Sequence, residues 1–422
     1  MKHASICFSN SLHTFFHVCS IFSQAFLSRQ RIFLDLKTVG VSHTNMEHTT
    51  HLALVIMVRN EEKSLPKTLG SLEGHFVNSV IAYDTGSSDT TISLLQSFCE
   101  REEIPLHLLE GDFVDFAVSR NVLLNFADTV ENVDYYLLLD SNDEVKNKEG
   151  LRTFIQKETM DKKTYYLPLV LENDGVRTRS KSIRLIKARC DWRYMGSVHE
   201  YISNYGKVED AGDIHAETYI YQEIVEDEES KEIEKEREKE IHIQNRSLLS
   251  GEYIRTRSPR ALFYLAKTCY LLGDMKQAYL YFEIRVGIDG EDSLDEERYE
   301  SMMSCGNIAT DWKTKRQWYM DAWEFAHRVE PLVEIANHYQ LVKDAVSMYM
   351  FSKTACSLPF PSSSRLSIQE NCYNYERWHL LAACACHVGD FPTGKNAAEI
   401  AVKARNLNID KELLAAYTSR ES

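Results

Sequence analysis

LLLDSNDE, residues 137–144, runs from an apolar stretch directly into clustered carboxylates. An apolar run bounded by a turn in this way reads as a buried strand. In open α/β sheets, ligands bind in the crevice outside the carboxyl ends of such strands. Oxygen-rich clusters there suit Mg²⁺ or Mn²⁺ bridging to phosphate oxygens. Two upstream segments repeat the pattern: Leu52–Met57 leads into VRNEE (58–62), and Val80–Tyr83 leads into DTGSSD (84–89). Three strands that each deliver polar groups to one sheet edge predict a site for a nucleotide diphosphate.

Between these strands the spacing turns helical. Leu65–Leu72 reads as a helix with Ser64 as its cap and Pro66 in its first turn. Thr90–Glu100 reads as another, capped by Ser88 or Asp89. With strands at Ile104–Leu109 and Tyr135–Leu139, the alternation predicts an α/β domain with a mainly parallel sheet. Tyr165–Leu171 and Ser182–Lys187 read as strands without an intervening helix, an antiparallel addition.

EDEESKEIEKEREKE (226–240) carries Glu–Lys pairs at i,i+3 spacing and predicts an exposed helical connector. Beyond it the sequence repeats. ALFYLAKTCYLLGDMKQAYLYF (261–282) and WHLLAACACHVGDFPTGKNAAEIA (378–401) share small residues and a Gly-Asp turn at matching places. EPLVEIANHY (330–339) is a weaker middle copy. These segments resemble tetratricopeptide repeats, in which small residues let paired helices approach and stacking covers each pair's apolar face. The expected organisation is an extension over 1–50, an α/β domain over 51–222, a charged linker over 223–246, and helical repeats over 247–416. The extension reads as unstructured, or as upstream of a working start at Met46.

A formal charge of −15 argues against nucleic acid and against anionic lipid, both of which call for a basic footprint. Phe15–Leu27 is interrupted by His17, Ser20, Ser23 and Gln24, too polar for a membrane span. The 10 cysteines form no CxxC pair and many sit in apolar or helical stretches, so free thiols in a reducing, cytoplasmic setting are expected.

The segments from Leu52 to Tyr221 resemble the family 2 glycosyltransferases, inverting enzymes of GT-A (Rossmann-like) fold, a subgroup of which carries a C-terminal tetratricopeptide array. The resemblance implies that Arg59, Asn60 and Glu61 hold the nucleotide and that Asp84 grips uracil or ribose of a UDP-linked sugar donor. DFVDFAVSRN (112–121) resembles the segment that closes over the nucleotide, with Arg120 on the diphosphate or bracing an aspartate. Of the two aspartates expected one residue apart, Asp140 matches the first. Asn142 stands in place of the second, with Asp143 next. Asp140, Asn142, Asp143 and His199 are thus the implied ligands of Mn²⁺ or Mg²⁺, with His215 a competitor. In GSVHE (196–200) Glu200 is the first candidate for the base that deprotonates the acceptor, and Asp143 the second. The acceptor is a peptide, glycan or metabolite, and the repeats dock it or a protein partner. The rival expectation is a tetratricopeptide scaffold whose transferase domain has lost chemistry through Asn142.

Overall fold

The computed structural model describes residues 50–157, 160–173, 176–196, 198–203, 211–214, 217–223, 231–289 and 295–419. The N-terminal extension and His215 lie outside them. The α/β part opens with β1 (Leu52–Val58), α1 (Leu65–Ser71), β2 (Ser79–Asp84), α2 (Thr91–Arg101), β3 (Leu106–Glu110), α3 (Phe116–Ala127) and β4 (Tyr135–Leu139). It continues through β5 (Glu144–Lys146), α4 (Lys148–Lys157), β6 (Thr164–Asn173), β7 (Val176–Lys187), β8 (Arg193–Met195), β9 (Tyr201–Ser203), β10 (Ala211–Asp213) and β11 (Tyr219–Glu223).

The sheet is mixed and mainly parallel, in the order β3-β2-β1-β4-β7-β6-β11-β5. Its β3, β2, β1 and β4 run parallel; β7 is antiparallel to both β4 and β6. The strands are apolar on both faces because both faces are covered. Leu54, Ile56, Val80, Ala82, Leu137 and Leu139 pack in the same layer as Leu65 and Leu69 of α1 and Leu95 and Phe98 of α2. Val55, Ile81, Tyr136 and Leu138 pack on the other side with Leu123 and Leu124 of α3. From β1 the chain proceeds outward to β2 and β3, then returns to place β4 on β1's opposite flank. That reversal leaves a crevice at the carboxyl ends of β1 and β4.

Two local expectations change. Ser64 does not cap α1: it is itself helical in conformation, and its hydroxyl donates to the Glu61 carboxylate. Thr90 holds the cap position of α2 without a side-chain bond, and Asp89 does the capping, its carboxylate accepting from Thr91 N at 3.0 Å. The connector helix α5 spans Lys231–Thr256, ten residues beyond the expected linker end at 246.

The helical part follows as α6 (Pro259–Leu271), α7 (Met275–Val286), α8 (Asp295–Ile308), α9 (Trp312–Ala326), α10 (Glu330–Leu341) and α11 (Ala345–Ser357). After the short β12 (Ile368–Gln369) come α12 (Arg377–Ala385), α13 (Phe391–Arg405) and α14 (Asn408–Thr418). One turn recurs three times. Gly273 N donates to Tyr270 O and Asp274 N to Cys269 O; Gly389 and Asp390 repeat this with Cys386 O and Ala385 O. Lys343 and Asp344 do the same with Gln340 O and Tyr339 O. Each aspartate then caps the following helix, Asp274 on Gln277 N, Asp344 on Ser347 N, Asp390 on Thr393 N. The middle repeat reads weakly because Lys343 holds the left-handed position, φ 60°, that glycine takes in the other two. Among the described residues no helix is long and apolar enough to cross a membrane, and no cysteine is joined in a disulfide.

The β12 segment reaches back to the sheet. Ile368 pairs with Arg179 of β7, and Glu370 forms an ion pair with Arg179. Because β6 lines one flank of β7, β12 takes the flank that β4 vacates where its strand ends.

Lys343→Gly should raise stability by about 1 kcal/mol, since a side chain at positive φ is disfavoured where glycine is not. Urea unfolding of the two proteins at equal m-value is the check.

Candidate active site

The 140–143 turn is held from below and behind. Asp143 N donates to Asp140 O at 3.1 Å, and Thr68 of α1 donates to Ser141 O at 2.6 Å. Around this turn three elements contribute cations and carboxylates. Arg120 on α3 donates to Asp140 Oδ1 at 2.6 Å. Arg184 on β7 donates to Asp140 Oδ2 from both terminal nitrogens at 3.2 Å. Arg184 Nη1 also lies 3.1 Å from Asp143 Oδ2, which accepts from Asp140 N at 2.8 Å. Gln222 on β11 donates to Asp143 Oδ1. Arg120 Nε lies 2.9 Å from Glu200 Oε1, close enough for an ion pair but without hydrogen-bond alignment.

The two carboxylates are driven apart electrostatically. Burial pushes Asp140 up, but Arg184 and Arg120 outweigh it and hold the group well below the usual carboxylate range. For Asp143 burial dominates and raises the pKa, with Arg184 opposing and Asp140 adding repulsion. Both arginines resist deprotonation: burial acts against their charge, and the neighbouring carboxylates and Tyr194 more than offset it.

Asn121, beside Arg120, fixes β8 by exchanging hydrogen bonds with the Tyr194 backbone at 2.7 and 3.0 Å. The Tyr194 ring then lies 5.3 Å under the Arg120 guanidinium.

At the β1 corner, Asn60 bridges to the β2 corner. Its side chain accepts from Ser88 N at 2.8 Å, and its own N donates to Ser87 Oγ at 3.0 Å. Asn60 takes φ 54°, a conformation asparagine tolerates. Glu61 N donates to Thr91 Oγ1 at 2.7 Å. Asp84 is buried, and its carboxylate accepts from Ser87 N at 3.1 Å and Ser87 Oγ at 2.6 Å. These residues stitch the two corners together. Arg59 is exposed and makes no ion pair among the described residues.

The structure therefore brings Arg120, Asp140, Asp143 and Glu200 into one cluster, with the Arg59–Glu61 corner on the neighbouring strand: Ile56 pairs with Leu139. His199 is placed differently. Its ring stacks on Tyr264 of α6, centroids 4.2 Å apart. Arg184, Gln222 and Asn121 were not singled out from the sequence. Arg184 left a signal, a lone charge within IRLI (183–186), whereas Gln222 left none.

The implied divalent ion does not fit this arrangement. Both Asp140 oxygens already accept from guanidinium groups, and Asp143 is fully enclosed with both oxygens engaged. Asn142 is exposed and neutral, its side-chain oxygen 3.3 Å from Gln222 Nε2. Among the described residues no three carboxylate, imidazole or thiolate groups converge as a metal site.

No protein-family profile matches the chain, and no curated protein does. Among solved structures, S. aureus TarS 1–349 is similar at TM-score 0.34 and 13% identity, over 72% of this chain and 91% of that one. The same fragment in complex with UDP-GlcNAc gives 0.34 and 14%, with equal coverage. A thermophilic TPR protein of Thermus thermophilus gives 0.25 and 16%, over 44% of this chain and 97% of its own. Likenesses at this level fix neither a family nor a reaction.

Arg184→Met should destabilise the fold by about 3–5 kcal/mol, because it leaves the buried Asp143 without a cation and Asp140 with Arg120 alone. Chemical denaturation of the variant measures this. A pH effect is expected from His199, whose imidazole is pulled from 6.5 to about 4 by partial desolvation, then by Lys267, Arg260 and His242. The unfolded chain binds more protons between those two values. This contribution to stability is present above the window and lost as pH falls through it. His199→Gln should flatten the acid limb of the stability curve there, read as Tm against pH.

Proposed function

We propose that residues 51–222 form an inverting glycosyltransferase of family 2 type that takes a sugar from a UDP-linked donor. The supporting observation is the Arg120–Asp140–Arg184–Glu200 cluster at the end of β4, with Arg59, which makes no ion pair among the described residues, following the end of the neighbouring β1. As the sugar–phosphate bond breaks, negative charge grows on the leaving diphosphate. Arg59, Arg120 and Arg184 supply positive charge at that edge, and Asp140 keeps two of them oriented. Groups of this kind act best when they are fixed before the reaction. Asp84, with lone pairs remaining after its Ser87 bonds, would receive the uracil imide or ribose hydroxyls.

Glu200 is favoured over Asp143 as the base. Asp143 is fully enclosed and its oxygens are engaged, so no acceptor hydroxyl or thiol can reach it. Glu200 is partly exposed, and its 2.9 Å approach to Arg120 Nε lacks hydrogen-bond alignment. The Mn²⁺ or Mg²⁺ implied by the resemblance enters no step here, because its implied ligands are turned to arginines, Gln222 and Tyr264. The helical repeats are read as the part that docks the acceptor, a peptide, glycan or metabolite, or a protein partner.

Asn142 in place of a second carboxylate favours one other reading, a tetratricopeptide scaffold whose transferase domain has lost its chemistry. A thermal-shift panel of nucleotide sugars, each with EDTA and with Mn²⁺, separates the two, since a ligand of the folded state raises Tm. The transferase reading expects UDP-sugars to raise Tm and to be hydrolysed or transferred; no shift and no turnover would support the scaffold. Asp140→Asn should lower turnover by about 100- to 1000-fold while leaving the far-UV spectrum unchanged. Asn142→Asp should create a Mn²⁺-dependent Tm shift that the wild type lacks, since it adds an exposed carboxylate at the turn; overlaying Mn²⁺ titrations would make Asn142 a bystander.

A further inference from the structure

We infer that the first helical pair of the repeat region is a working part of the transferase site: Tyr264 and Arg260 of α6 hold the Val198–Tyr201 segment and thereby position Glu200. This rests on the transferase reading above for Glu200's role, but the geometry of the hold does not depend on it.

The segment has little support of its own. It enters through Gly196 at φ 97° and passes through His199 at φ 53°, a left-handed conformation that a β-carbon disfavours. Something outside the segment must therefore select this backbone. The groups that do so come from the helical part. The His199 ring stacks on Tyr264 at 23° between planes. Arg260 Nη2 donates to His199 O at 3.4 Å, and its guanidinium lies 5.0 Å from the Tyr201 ring and 4.8 Å from the Tyr264 ring. Val198 packs against the cluster that contains Leu249, Phe263 and Leu265.

Arg260 is itself locked. It pairs at 3.0 Å with Glu297 of α8, a buried carboxylate whose other oxygen takes Arg285 Nη2 at 3.1 Å. A buried, fully engaged pair has one arrangement, so the guanidinium that reaches the segment is preset by the repeat core. On the other side, Glu200 meets Arg120, and Arg120 meets Asp140. The path from the helical core to the strand-end carboxylate thus runs through contacts alone: Glu297, Arg260, the 198–201 backbone, Glu200, Arg120, Asp140. The second clasp, β12 on β7 with Arg179 against Glu370, fixes the same helical part to the sheet next to the vacated end of β4.

Acceptor docking alone would leave the 198–201 segment indifferent to Tyr264. Full-length Tyr264→Ala and Tyr264→Phe decide the matter by two readouts. The first is amide hydrogen exchange over 198–203, which reports local opening and needs no activity. Tyr264→Ala should speed exchange there by about tenfold, with β1 and β4 unchanged, and Tyr264→Phe should restore protection because the ring suffices for stacking. The second is kinetics with a UDP-sugar that raises the wild-type Tm. In Tyr264→Ala kcat should fall by about tenfold with donor KM within about twofold, as expected when the base is displaced and the nucleotide corner is intact. Unchanged exchange over 198–203, or a kcat equal to wild type, overturns the inference. If the wild type has no turnover with any donor, the transferase reading fails, and the exchange experiment alone decides whether α6 holds the segment.

Discussion

The contact on which the site depends is the ion cluster around Arg184. Its guanidinium is buried, and it bonds or pairs to Asp140 at 3.2 Å and Asp143 at 3.1 Å. Taking such charges out of water costs several kcal/mol per ion, so the arrangement persists only if the pairing is geometrically satisfied. That requirement fixes more than one residue. β7 must run antiparallel beside β4 to present Arg184, the 140–143 turn must close on itself, and β11 must bring Gln222 to the remaining Asp143 oxygen. β7 runs antiparallel to β4, with Lys187 beside Tyr135 and Leu185 beside Leu137, so Arg184 and the residues before it lie toward the end of β4 and its turn.

The same cluster explains why the two aspartates behave differently although three positions apart. Asp140 sits between two cations and stays ionised; Asp143 is held in a closed space where burial dominates. Asp143 thus braces the turn from within, while Asp140 keeps a partly exposed side chain beside Arg120.

The helical part uses a different logic. Its geometry is written in short-range terms: a left-handed residue, an aspartate cap accepting from the third residue on, and small residues where helices cross. Because each unit contacts mainly its neighbours, the repeat is readable from one unit at a time. Nothing in that local pattern foretells the long-range contacts with the α/β part, among them His199 on Tyr264 and β12 on β7. They join an irregular loop and a two-residue strand to distant partners, and such elements have no period to read.

What the sequence determined by itself was the part governed by local or periodic physics. The apolar runs at 52–57, 80–83 and 135–139 read as interior strands, as the buried β1, β2 and β4 prove to be, and polar residues follow each. The Gly-Asp turns announced the paired helices, and the middle copy was faint only because Lys343 replaces glycine. Asp140, Arg120 and Glu200 were expected to lie together from their motifs, and the fold gathers them into one cluster. Tertiary structure decided their partners. It turned Asp140 to two arginines in place of a metal set, enclosed Asp143, stacked His199 on Tyr264, and added Arg184 and Gln222 from strands whose pairing spans dozens of residues. A side chain's charge and place on a strand can be read along the chain. Which opposite charge it meets depends on strand order and register, and these emerge only when the sheet closes.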